Sequence, residues 1–73
     1  MFSGKEVIKR LEELGFQQIR QKGSHIIMKK LGPTGLMIGC VIPLRKELAY
    51  GTLRGILNQA GLNLDEFIND KNK

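Results

Sequence analysis

The sequence predicts an α+β domain of order α-β-β-β-α with a short additional helix, its three strands forming an antiparallel sheet with helices on one face. Three observations carry this. A capped amphipathic stripe opens the chain, two shorter stripes close it, and between them lie three β-branched segments divided by glycine-containing turns. In the first helix Ser3 and Glu6 have capping-box spacing, with Phe2 and Val7 placed for a hydrophobic staple. Val7, Ile8, Leu11 and Leu14 recur at helical spacing, and Gly15 supplies the left-handed residue that ends the helix. Lys5, Lys9, Arg10, Glu12 and Glu13 form the opposite, solvated side. "FQQIRQK" and "HIIMKKL" then read as strands around Gly23–Ser24, and "LMIGCVI" as a third strand after the turn "GPTG", closed by Pro43. Gly39 within it weakens the strand unless a bulge or close packing needs it. "PLRKELAY" reads either as a loop or as a loop with a helical turn. Thr52 can cap a second helix carrying Leu53, Ile56, Leu57 and Ala60, in which Gly55 would mark close packing and Gly61 the end. Asn63 and Glu66 repeat the capping-box spacing before Leu64, Phe67 and Ile68, and "NDKNK" is expected to be a frayed tail.

Composition narrows the class of protein. Seventy-three residues make a single domain, 1–73, with no room for two cores. A hydrophobic share of 41% is enough for a folded core, and no apolar run approaches the roughly 20 residues of a membrane span. The N-terminus lacks the apolar stretch of a secretory signal, and the one cysteine, Cys40, permits no internal disulfide, so a cytoplasmic location is expected. The formal charge is +5, unevenly spread. From Leu14 to Lys46 stand Arg20, Lys22, Lys29, Lys30, Arg45 and Lys46 without one Asp or Glu, which fits either the electrostatic footprint of a polyanion-binding surface or the solubilising charge common in small basic domains.

The sole histidine, His25, lies in "KGSHIIMKK". Side chains alternate along a strand, so His25, Ile27 and Lys29 share one face while Ile26 and Met28 fit the helix-covered one. If Ile19 also faces the helices, Arg20 and Lys22 join His25 on the open side, an argument that one slip of register would reverse. Neutral imidazole can accept a proton near pH 7 and imidazolium can return it. RNA brings its own nucleophile, the 2′-hydroxyl, and cations beside it stabilise charge growing on phosphate oxygens, so cleavage without metal needs little more. A lone strand histidine is more often plain surface. One His and one Cys far apart make no metal site, "GPTG" lacks the residues of a P-loop, and no acid lies near His25 in sequence to form a triad.

"SGKEVIKRLEELGF", "GFQQIRQKGSH" and "GTLRGILNQAGLNLDEF" resemble, in order and spacing from Ser3 to about Phe67, the HicA family of bacterial toxins. The resemblance implies a fold similar to a double-stranded-RNA-binding domain, a ribosome-independent mRNA endonuclease activity, and a cognate HicB antitoxin that silences it. The family's catalytic histidine, in its Gly-Ser-His motif, falls on His25 after Gly23 and Ser24. Where many relatives carry Pro-x-His after the third strand, this chain has Pro43-Leu44-Arg45. Arg45 keeps a planar fork of donors for phosphate but cannot serve as a general acid or base. The expectation is therefore a toxin ribonuclease with His25 as general base or acid, Lys22, Ser24, Lys29 and Arg45 on the RNA, and no metal or other cofactor. The alternatives are a non-catalytic RNA-binding module and a degenerate toxin that acts only as a protein partner.

Overall fold

The computed structural model describes residues 1–69. It contains α1 (Gly4–Glu13), β1 (Gln17–Lys22), β2 (His25–Leu31), β3 (Met37–Pro43), α2 (Tyr50–Ala60) and α3 (Leu64–Ile68). The strands form one antiparallel sheet in the order β1-β2-β3, with β2 paired on both sides. This is the predicted order of elements. The expected frayed tail lies outside the described residues apart from Asn69.

The core forms where the periodicities meet. Ile26 and Met28 pair with Ile42 and Cys40 across β2 and β3, and all four are buried. Val7, Ile8 and Leu11 of α1 close over this face, with Leu53, Ile56, Leu57 and Ala60 of α2 and Phe67 of α3. Each such side chain contributes roughly 1.5–3 kcal/mol on full burial, which a domain this small needs. Both capping boxes are formed: the Ser3 and Asn63 side chains accept from the Glu6 and Glu66 backbone N–H groups, and the two glutamates return the bond. Gly15 (φ 102°) and Gly61 (φ 73°) take the left-handed conformations that end α1 and α2. Phe2 packs edge-on against Phe67, ring centroids 5.2 Å apart, so the first and last elements meet.

Lys30, on the covered side of β2, does not reach solvent as a free cation. Its ammonium donates to the Leu14 carbonyl at 2.8 Å and lies 5.7 Å from the Phe16 ring centroid. It thus satisfies a carbonyl at the end of α1 and removes one charge from the basic stretch.

Four expectations are corrected, and Gly39 has neither a bulge nor close packing to require it. Ile19 does not face the helices: the β1–β2 register shifts between Gln18 and Arg20, so Ile19 occupies a bulge and stays 50% exposed. Thr52 does not cap α2, which starts at Tyr50 from Ala49 with no side-chain cap. Gly55 marks no close approach, since a Cβ there would meet nothing within 4 Å. Gly39 lies in no bulge and packs only ordinarily, a Cβ there standing 3.6 Å from the Lys29 side chain. Arg10 is not part of a solvated face: it donates to the carbonyls of Phe67 (2.6 Å), Asn69 (2.8 Å) and Glu66 (3.2 Å), tying α1 to the end of α3, and it pairs with Glu13 at 3.1 Å. The segment after Pro43 is a loop, held by buried Leu48, whose N–H donates to the Phe2 carbonyl at 2.8 Å.

Cys40 is 2% exposed, and burial pushes its thiol from 9.0 up to about 11. Two pH units remove roughly 99% of the thiolate that an ordinary cysteine would present at pH 8. The folded protein is therefore expected to resist iodoacetamide at pH 8 and to take one adduct per chain, read by intact mass, once unfolded in guanidinium. Rapid modification of the folded protein would show that Cys40 is open.

Candidate active site on the open sheet face

The bulge that displaces Ile19 sets the site. It returns Gln18 and Gln21 to the covered side, opposite Met28 and Ile26, and puts Arg20 opposite Ile27 and Lys22 opposite His25. Directly paired residues share a face, so Arg20, Lys22, His25, Ile27 and Lys29 stand together on the side without helices. The outward placement of Arg20 and Lys22 arises from an inserted residue, not from simple alternation through Ile19.

His25 is the first residue of β2, just past the two-residue Gly23–Ser24 turn. Gly23 has φ 60° while Ser24 keeps a negative φ, the distribution of a II′ hairpin turn with glycine in its first central position. The same turn is braced from the third strand. Pro43 pairs with His25, and the Leu44 N–H donates to the Ser24 carbonyl at 2.7 Å. The imidazole is therefore presented from a backbone bonded on both sides, with the Lys22 side chain as its cross-strand neighbour. Among the described residues no carboxylate pairs with His25, Arg20, Lys22, Lys29, Arg45 or Lys46. The open face keeps its positive field unneutralised.

The sequence-predicted site residues fall into two groups. Lys22, Ser24 and His25 are adjacent, and Arg45 follows Pro43 and Leu44 at the same end of the sheet, its carbonyl accepting from the Gly4 N–H at 2.8 Å. Lys29 shares the face but not the neighbourhood. It stands four residues along the strand from His25, roughly 13 Å, and its stem runs across Gly39. Sequence reading of the site did not single out Lys5 and Lys46, which line a cleft with Arg45. Lys5 stands some 40 residues before its neighbours, and no local spacing signals that approach.

The described residues hold no group of three or more His, Cys, Asp or Glu side chains arranged for a metal ion. No helix among them is long and apolar enough to cross a membrane.

A small α+β domain whose bare sheet face presents one imidazole among cations without carboxylate partners has the charge pattern that suits a polyanionic ligand. The particular family follows from comparison with known proteins: a family model described as the HicA toxin of bacterial toxin-antitoxin matches residues 4–62, and the chain belongs to that family. It is by family the toxin of a toxin–antitoxin pair. No curated protein matches it.

Proposed function

We propose that the protein is a metal-independent endoribonuclease that cleaves mRNA and is held inactive by a HicB-like antitoxin. The observation that carries the reading is the pairing of His25 with Lys22 on the helix-free face of a HicA-family fold, with Arg45 at the same end of the sheet. His25 takes the proton of a 2′-hydroxyl, or gives one to the leaving oxygen. The 2′-oxygen bonds to phosphorus as the bond to the 5′-oxygen of the next nucleotide breaks. Lys22 and Arg45 stabilise the charge on the non-bridging oxygens, and Lys29 and Arg20 hold the strand farther along. Because the chain has a single histidine, one imidazole serves only one of the two proton transfers, and water completes the other. An antitoxin that covers this face with acidic side chains would block RNA and neutralise the field in one step.

The test is purified protein with an mRNA in excess EDTA. Cleavage should persist, and the fragments should end in 2′,3′-cyclic phosphate and begin with 5′-hydroxyl. Salt-sensitive binding without any cleavage would overturn the enzymatic reading in favour of an RNA-binding module.

A further inference from the structure

Where the end of the sheet meets the start of α1, Ser3, Lys5, Leu44, Arg45 and Lys46 line a cleft of ≈ 250 Å³. That is the volume of roughly eight waters in the liquid, enough for a hydrated phosphodiester. Three of the five lining residues are cations, all exposed, with no carboxylate partner among the described residues. The acids nearest in sequence do not line it: Glu6 is turned to the Ser3 N–H at 2.8 Å, and Glu47 lies outside the lining. The walls are fixed. Gly4 N–H bonds the Arg45 carbonyl and Leu48 N–H the Phe2 carbonyl, each at 2.8 Å, so the loop is tied to the start of α1 at two points. Three cations around one cleft suit a backbone phosphate, which carries no sequence information.

We infer that this cleft is a second phosphate subsite, which holds the phosphodiester next to the one at His25. The inference rests on the reading of the open face as the RNA-cleaving site. Continuity supports it. Pro43 pairs with His25, Leu44 N–H bonds the carbonyl of Ser24, and Arg45 lies two residues, at most about 7 Å of chain, beyond Pro43. A strand whose scissile phosphate sits beside Lys22 and His25 therefore brings its neighbouring phosphate to Arg45, where Lys5 and Lys46 close around it. Arg45 is shared between the two phosphates. Lys5 and Lys46 belong to the second alone. The subsite anchors RNA without regard to sequence and fixes which linkage reaches the imidazole.

Binding of a 2′-O-methyl oligonucleotide, which lacks the nucleophile, tests this separately from cleavage. Lys5→Ala/Lys46→Ala should weaken binding roughly tenfold and flatten the slope of log affinity against log salt by about one, whereas Arg54→Ala, a charge removed outside the cleft, should change neither. A scan that replaces one phosphate at a time by an uncharged methylphosphonate should find a position that costs the wild type affinity and costs the double variant none. Unchanged affinity and slope in the double variant, or the same methylphosphonate penalty in both proteins, overturns the subsite. A double variant that binds RNA normally but loses its antitoxin makes the cleft a protein contact instead. Failure of the wild type to cleave mRNA would remove the enzymatic reading while these binding results still judge the cleft.

Discussion

His25→Ala is expected to abolish mRNA cleavage and the growth arrest that follows expression without antitoxin, while the protein remains folded and still binds RNA. A positioned general acid or base accounts for roughly 10²–10⁴-fold of rate. With no other imidazole in the chain, only water is left to take over that transfer, slower by that factor. The fold should not notice the change. His25 is exposed, and no hydrogen bond or ion pair of its imidazole is found among the described residues, so truncation should shift stability by about 0.5 kcal/mol or less. Circular dichroism and thermal melts of the variant should match wild type, and affinity for an uncleavable oligonucleotide should change little because Lys22, Lys29 and Arg45 remain. Lys22→Ala separates the roles further. It should weaken binding and slow cleavage together, since its charge holds the phosphate in the ground state and acts more strongly on the charge that grows there in the transition state. Equal toxicity of wild type and His25→Ala would exclude His25 from the chemistry.

Much of this site was legible in the sequence because it is local. The turn Gly23–Ser24, the outward phase of His25 and the basic run from Arg20 to Lys46 all follow from period-two alternation and a count of charges. The phase of β1 was reached by a wrong route. Alternation through Ile19 put Arg20 and Lys22 outward, and a bulge at Ile19 puts them there instead. A bulge depends on how two strands pair, which one strand's pattern does not encode. Lys30 and Arg10 were misjudged for a related reason. The sequence puts Arg10 on a solvated face and Lys30 in the basic run, yet both turn inward to carbonyls at helix ends, Leu14 for Lys30 and Phe67, Glu66 and Asn69 for Arg10. Such bonds need two elements distant in sequence to meet, and only the folded chain brings them together. The cleft lined by Lys5, Arg45 and Lys46 was hidden by the same separation.

Two glycine-to-alanine substitutions inside helices should shift stability in opposite directions, and the difference tests how the site is held. Gly55 in α2 is exposed and a Cβ would meet nothing within 4 Å, so Gly55→Ala should gain up to about 1 kcal/mol of helix propensity. For a domain of this size that is roughly 4–8 °C in Tm. Gly4, the first residue of α1, is buried, and its Cβ would run into the Pro43 carbonyl oxygen and close on Leu44 Cα at 3.1 Å. Those are backbone atoms with no side-chain torsion to yield. Overpacking of this kind costs typically ~1–3 kcal/mol, and parting the chains also loses the Gly4 N–H bond to the Arg45 carbonyl, ~1 kcal/mol more. The clash outweighs the propensity gain, and Gly4→Ala should melt well below wild type. Its effect on activity should exceed its effect on the folded fraction, because the contact it forces apart fixes Leu44 and Arg45 behind the Ser24–His25 turn. At a temperature where the variant remains folded by circular dichroism, RNA cleavage should still be slowed, and RNA affinity should fall with it. If Gly4→Ala melts as high as Gly55→Ala, the start of α1 does not press on the Pro43–Arg45 segment, and the bracing of the site from that side is wrong.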